Sequence, residues 1–252
     1  KNNIGSGDQS FGSLTTGNPN TMRSLALYDE INRAFWSIPD CWDSRDTCEQ
    51  KVAKWWPDYA PWPNASGNTF NIPGPGPDSP AVVLHELGHT VMYDAYEHGW
   101  PSGTCPSPHY VSKNEDEGCA FSEGWPSWFA GHVLQNKQLA YWSAPSDNNL
   151  NGYAPANTRL EDDSYGNPSP DWMGDTVEAR IAGAMWDIED SVNEKYWDRT
   201  SGGFNQLWDT FQRHNDTDNF REFWQQRAAD GYDATSTDIL ATLYQNTIDL
   251  YG

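Results

Sequence analysis

Two histidines and a glutamate in the sequence have the spacing of a metal-binding helix. His85, Glu86 and His89 form a His-Glu-x-x-His pattern within the segment AVVLHELGHTVMYDAY. Residues four apart lie one turn apart on the same face of a helix, so both imidazoles can reach one zinc ion as neutral nitrogen ligands. Glu86 flanks that position and can accept a proton from a zinc-bound water. The pattern therefore predicts a zinc site with Glu86 as the general base.

The residues around this pattern predict a buried helix with clear ends. Asp78 or Ser79 can cap the start, and Pro80 suits the first helical position. We expect the helix to end near His98, with Gly99 as a left-handed cap. The apolar residues of this segment include Val82, Val83, Leu84, Leu87, Val91 and Met92. Buried histidines and a buried glutamate are costly unless they coordinate or pair, which favours a metal site over an ordinary surface helix.

A third protein ligand is needed, and the same helix does not offer one. The longer His-Glu-x-x-His-x-x-Gly-x-x-His pattern fails, because Met92 and Ala95 stand where it requires Gly and His. We favour Glu123, which lies near the start of an apolar helix predicted over 121–135, where a charged side chain needs a partner. A helix antiparallel to the first would direct this carboxylate at the metal. The rivals are His109 and the acidic loop residues Glu115, Asp116 and Glu117.

The motifs together resemble those of a known group of enzymes. The HELGH motif followed by SEGW is similar to the glutamate-zincin, or thermolysin-like, metallopeptidases, and the segment SEGWPSWFA resembles a helix of their fungalysin-type members. The segment EARIAGAMWDIEDS resembles a tryptophan-containing helix that follows in many of them. Carried over position by position, the resemblance implies that His85, His89 and Glu123 hold zinc and that Glu86 is the catalytic base. It covers residues 78–135 with good specificity.

The sequence departs from this family pattern in two places. Ser127 stands where an acidic residue often orients a histidine ligand, so another group must supply that support. The candidates for it are Asp94, Asp175 and Asp187. The Tyr or His that stabilises the oxyanion has no clear match, and its candidates are His109, Tyr110, Tyr153, Tyr165 and Arg180.

The charge balance excludes some partners. The 252 residues include 36 acidic and 15 basic side chains, a formal net charge of −21. Nucleic-acid binding needs a basic surface, and an anionic membrane would repel this chain. No apolar run approaches the roughly 18 residues of a membrane helix. We expect a soluble monomer that acts on proteins or peptides, with no nucleic-acid or membrane partner. A preference for cationic substrates is the alternative reading of the charge.

Four cysteines form two local pairs. The spacing favours the disulfides Cys41–Cys48 and Cys105–Cys119, and no Cys-x-x-Cys pattern indicates a thiolate metal site. Four free thiols are the alternative. Disulfides are typical of an oxidising compartment, so we expect a secreted, extracellular protein. A chain that starts at Lys1 fits a mature form trimmed of its export and pro-segments.

We predict an α+β, zincin-like fold with a small N-terminal sheet, an active-site helix and a mainly α-helical C-terminal lobe. The whole chain, 1–252, would be one catalytic unit, with lobes at about 1–98 and 99–252. The apolar periodicity also predicts a strand over 67–72. Further helices are predicted over 20–37, 175–192, 203–228 and 236–250, with Asp175 and Glu178 as a capping box that opens the helix over 175–192.

The predicted function is that of a secreted zinc-dependent endopeptidase that uses a zinc-activated water and a glutamate base. The alternatives are a zinc hydrolase of a narrow substrate such as a glycoprotein or ester, a non-catalytic zinc-containing binding module, and a zinc-free structural protein. Calcium is a further candidate cofactor at Pro145–Tyr153 or at Glu161–Asp163. The first segment does not match the spacing of an EF-hand loop, so a plain turn is favoured there. The second is the better acidic cluster, but a solvated charge run is favoured.

Overall fold

The computed structural model describes residues 18–39, 49–58, 63–74, 76–106, 109, 111, 113–136, 139, 174–192 and 197–250. Within these ranges the chain forms three β-strands, seven α-helices and one turn of 3-10 helix at Gly76–Asp78. The strands are β1 (Val52–Trp56), β2 (Asn64–Ser66) and β3 (Thr69–Pro73). The helices are α1 (Pro19–Ser37), α2 (Pro80–Ala95), α3 (Glu117–Leu134), α4 (Glu178–Glu189), α5 (Phe204–Arg213), α6 (Phe220–Ala229) and α7 (Thr237–Gln245).

The three strands form one small sheet in the order β1-β3-β2. β3 is the central strand and pairs parallel with β1 and antiparallel with β2. Its alternate residues Phe70 and Ile72 are fully buried, so the sheet presents one apolar face to the core. The predicted strand over 67–72 corresponds to β3. Strands β1 and β2 are not predicted from the sequence, because β1 lies in a Pro- and Trp-rich segment that suggests irregular structure and β2 is only three residues long.

Helix α2 begins as the sequence predicts but ends earlier. The Ser79 hydroxyl accepts a hydrogen bond from the Val82 amide at 3.4 Å, and Pro80 occupies the first helical position. The last helical residue is Ala95. The left-handed conformation expected at Gly99 occurs instead at Glu97 and His98, with φ of 51° and 70°. The predicted end near His98 with a Gly99 cap is therefore wrong.

Helix α3 lies between α2 and α4 and packs closely against both. A Cβ added to Gly88 of α2 would lie 3.0 Å from the Cα of Pro126, and one added to Gly124 would lie 2.8 Å from the carbonyl oxygen of Glu178. Glycine at these two positions therefore lets the three backbones approach. α3 also begins one turn earlier than predicted, because the Asp116 side chain caps it through the Gly118 amide at 3.1 Å.

Two predictions for the C-terminal helices are wrong. α4 begins at Glu178, and its N-cap residue Val177 makes no side-chain capping bond, so the proposed capping box does not form. The helix predicted over 203–228 is two helices, α5 and α6. The polar segment between them ends the first, and the Asn219 side chain caps the second by accepting from the Glu222 amide at 2.9 Å. Helix α1 lies where the sequence predicts it, whereas α7 begins as predicted but ends at Gln245, before the predicted end at residue 250.

One continuous core connects these elements. Buried apolar residues from α1, β3 and all the later helices form a single cluster, so among the described residues no break separates two lobes. The lobe division at residue 98 remains a prediction. A buried ion pair fastens the sheet to α2: the Lys51 ammonium donates to Asp94, and to the Thr90 carbonyl at 3.0 Å. Asp94 therefore serves the fold and not a histidine ligand.

Replacement of Gly124 by alanine tests the close packing of α3 against α4. The added Cβ would also lie 2.9 Å from the Ile181 Cβ, so we expect Gly124→Ala to lower the free energy of unfolding by roughly 1–3 kcal/mol. Urea unfolding followed by circular dichroism measures this. Helix propensity alone would stabilise the variant by about 1 kcal/mol, and such a gain would contradict the packing.

Candidate metal centre

The structure brings His85, His89 and Glu123 together at one point. The Nε2 atoms of the two histidines are 3.1 Å apart, and each lies 3.1 Å from the Oε2 atom of Glu123. These three atoms form an equilateral triangle. The histidines come from α2, one turn apart, and Glu123 comes from the second turn of α3. The crossing of the two helices therefore assembles the group that the sequence predicts.

Glu86 lines the same cavity as these three residues. The cavity has a volume of about 430 Å³, and its wall includes β2 and the segment after α2. Burial raises the pKa of Glu86, although the two nearby histidines oppose this rise. The carboxyl group of Glu86 is thus a stronger base than an exposed glutamate, which suits proton transfer. The lining residues are Pro63, Asn64, Ala65, His85, Glu86, His89, Trp100, Pro101, Gly103, Cys105, His109, Ser122 and Glu123.

The charge of Glu123 dominates the electrostatics of the site. Burial alone would raise the pKa of Glu123, but His89 and His85 outweigh burial and hold it well below the usual range. Burial likewise disfavours the charged form of His89, yet the carboxylate of Glu123 raises the pKa of His89 to about 8. The negative charge of Glu123 therefore favours the protonated form of His89.

His85 contacts Ser127, the residue at which the sequence departs from the family pattern, through the ring nitrogen that does not face Glu123. Its Nδ1 atom lies 3.0 Å from the hydroxyl of Ser127, and this hydroxyl donates to Oε1 of Glu178 at 3.0 Å. Glu178 is buried, with 2% of its surface exposed. This role is not predicted from the sequence, because Glu178 also fits a capping box. A charged residue within an apolar helix is the signal that could have identified it.

His109 also lies at the cavity, between two carboxylates. Its Nε2 atom is 3.8 Å from Oε1 of Glu123, and its Nδ1 atom is 3.7 Å from Oε2 of Glu178. The interaction with Glu178, opposed by burial and assisted by Glu123, raises the pKa of His109 to about 9. The side chain is 36% exposed. It can therefore present a charged N–H to a molecule in the cavity.

Other candidate residues lie elsewhere or outside the described ranges. Asp175 pairs with Arg221 at 3.3 Å, and Asp187 accepts hydrogen bonds from Gln245 and Asn246. With Asp94 paired to Lys51, none of the three candidates orients His85. Arg180 is 3% exposed and is not among the described residues that line the cavity. The candidates outside the described ranges are Tyr110, Tyr153, Tyr165, Pro145–Tyr153 and Glu161–Asp163.

The disulfide Cys105–Cys119 is present as predicted. Cys105 lines the cavity, and Cys119 lies one turn before Glu123 on α3. The bond therefore fastens the segment that follows α2 to the helix that carries Glu123. The predicted pair Cys41–Cys48 lies outside the described residues.

Of the rival third ligands, Asp116 and Glu117 are exposed at the start of α3.

Comparison with known families gives one match. The mycolysin C-terminal domain family matches residues 36–247, which include His85, Glu86, His89 and Glu123. The chain belongs to this family. The assignment relates it to the secreted peptidases in which mycolysin-type domains occur. A search of curated proteins and a search of solved structures gave no match. No helix in the described part of this family member is long and apolar enough to cross a membrane.

The raised pKa of His89 predicts how the stability of the metal-free chain depends on pH. The folded-state pKa of about 8 exceeds the ordinary value of 6.5, so this contribution is complete below about pH 6.5 and is lost as the pH rises through about 8. The loss should be about 2 kcal/mol. Urea unfolding in the presence of a metal chelator, repeated between about pH 6 and pH 9, measures this loss of stability.

The variant His89→Gln is the reference for this measurement, because it removes the titrating group. We expect its stability to fall less over the same pH range. His98→Gln, which changes an exposed histidine beyond the end of α2, should behave like the wild type. Equal pH dependence in the wild type and His89→Gln would show that the pair with Glu123 does not stabilise the metal-free fold.

Proposed function

We propose that the chain is a secreted zinc-dependent endopeptidase, with zinc held by His85, His89 and Glu123. The observation that carries the proposal is the triangle of three ligand atoms, each 3.1 Å from the others, at the wall of a cavity that Glu86 also lines. The zincin-like classification of the fold belongs to the same proposal. It is supported by the helix pair that supplies these ligands beside a small sheet.

The donor set fits zinc. Two neutral imidazole nitrogens and one carboxylate oxygen are a common set of three protein ligands in catalytic zinc sites. Ligand atoms about 2.0–2.1 Å from one tetrahedral ion lie about 3.3 Å apart, close to the separation found here. When bound, zinc would acidify a water molecule and polarise a substrate carbonyl. The open cavity leaves room for both beside the three protein ligands.

Glu86 is the general base in this proposal. It lies next to a ligand in sequence and lines the cavity without belonging to the triangle. Its carboxylate would take a proton from the attacking water and pass it to the leaving amine of the cleaved peptide. A purely structural metal site has no use for a buried glutamate in this position, which favours an enzyme over a binding module.

The shape of the cavity supports an extended peptide as the substrate. β2 is at one edge of the sheet, and its residues Asn64 and Ala65 line the cavity. An exposed strand edge can pair with an extended chain through main-chain hydrogen bonds. His109, with its raised pKa, would donate to the substrate carbonyl oxygen as negative charge develops there. A cavity built in this way favours a peptide over an ester without a main chain.

The variant Glu86→Gln tests the function directly. It keeps the size of the side chain and removes the base, so we expect one zinc per chain and a loss of casein hydrolysis of at least about 100-fold. Zinc is measured by atomic spectroscopy, and hydrolysis with and without a chelator. Glu97→Gln, which changes an exposed glutamate just beyond α2, is the matched control and should keep full activity.

The outcomes separate the alternatives. One zinc in both proteins with no hydrolysis by the wild type would favour a narrow substrate or a binding module. Activity in Glu86→Gln equal to that of the wild type would refute the role of Glu86. Folded wild-type protein that binds no added zinc would refute the metal site itself.

A further inference from the structure

Glu178 is a buried carboxylate at the first residue of α4, and its two oxygens face different groups. Oε1 accepts a hydrogen bond from the hydroxyl of Ser127 at 3.0 Å, whereas Oε2 lies 3.7 Å from the His109 ring. The N-terminus of a helix favours a negative charge, and a nearby imidazolium adds to this effect. Both help to offset the cost of burying Glu178. Because burial of a carboxylate costs free energy, we expect Glu178 to have a role in the site that it faces.

The direction of the hydrogen bonds gives that reason. A serine hydroxyl has a single proton, and Ser127 donates it to Glu178, because an ionised carboxylate can only accept. The Ser127 oxygen must then accept from Nδ1–H of His85, 3.0 Å away. In a neutral imidazole this leaves Nε2 without a proton. That is the nitrogen facing Glu123 and His89, and it is the atom a metal ion requires.

We propose that Glu178 is a positioning residue that fixes the tautomer and the ring orientation of His85 through the hydroxyl of Ser127. The inference rests on the proposed function, because it takes His85 as a metal ligand. Serine alone would not be sufficient. Without the Glu178 acceptor, the Ser127 hydroxyl can donate to Nδ1 of His85 instead, which favours the tautomer that carries its proton on Nε2, the nitrogen that faces Glu123.

The fold holds Glu178 at this distance by close backbone contacts. A Cβ on Gly124 would lie 2.8 Å from the Glu178 carbonyl oxygen, so glycine there allows α4 to begin directly against the helix that carries Ser127. Backbone hydrogen bonds fasten the chain on both sides of Glu178: the Glu115 amide donates to the Thr176 carbonyl at 2.8 Å, and the Ala179 amide donates to the Val111 carbonyl at 2.9 Å. Glu178 thus reaches Ser127 from a separate helix, more than 50 residues away in sequence.

The test is a double-mutant cycle read out as zinc affinity, measured by competition with a chelating dye. We expect Ser127→Ala and Glu178→Met each to weaken zinc binding by about 10–100-fold, the usual effect of losing a group that orients a ligand. The double variant should be no weaker than either single variant, because both changes break one chain of hydrogen bonds. Full additivity would contradict the relay.

A rescue variant makes the test more specific. Ser127→Asp would place a carboxylate directly at His85, but in the wild-type background it would also face Glu178. We therefore expect Ser127→Asp to impair zinc binding when Glu178 is present and to improve it in the Glu178→Gln background. The same effect in both backgrounds would overturn the proposal. Ser127→Ala is a small change, so it provides a folded variant if Glu178→Met does not fold.

The matched control is Glu189→Gln at the other end of α4. Glu189 also links α4 to α3, by accepting from Trp128 Nε1 at 2.8 Å and from His132 Nδ1 at 2.5 Å, but it lies away from the metal centre. We expect it to lower stability without changing zinc affinity. Zinc affinity unchanged in Ser127→Ala and Glu178→Met, with one zinc still lost in His85→Ala, would refute this inference and leave the proposed function intact.

Discussion

The close packing of three helices, with α3 between α2 and α4, is the constraint on which the rest of the structure depends. Gly88 and Gly124 remove the side chains that would keep these backbones apart. The first contact brings the two histidines of α2 to Glu123, and the second brings Glu178 to Ser127. Each pair of helices buries enough aromatic and aliphatic surface to hold polar side chains at fixed positions. The candidate metal centre is therefore a product of helix spacing.

The same packing creates an electrostatic problem that shapes the site. Glu123 and Glu86 are held in a largely apolar surround, where an uncompensated charge is costly. His89 supplies part of the compensation, because the carboxylate of Glu123 raises its pKa to about 8 and so favours its protonated form. A divalent cation would supply it more completely and displace that proton. In the proposed function, metal affinity and the fold would thus be linked through a few buried groups.

The support behind His85 differs from the arrangement that the resemblance to thermolysin-like enzymes implies. Where those enzymes often carry an acidic residue, this chain has Ser127, and the carboxylate is supplied by Glu178 from the next helix in the structure. The negative charge is kept while its position in the sequence changes. A sequence motif cannot reveal such a replacement, because a motif describes residues that are close in sequence. Orientation of His85 requires a carboxylate that is close in space.

The sequence by itself determined the parts of the site that lie on one element. The spacing of His85 and His89, the cap at Ser79 and the proline at the start of α2 are local features, since helix geometry alone relates residues one turn apart. Glu123 could also be predicted from the sequence, because a charged residue in an apolar helix needs a partner. Only the tertiary structure decided what stands behind His85, where His109 lies, and that Asp94 pairs with Lys51. These are contacts between separate elements, and their partners depend on helix crossings that no local pattern encodes.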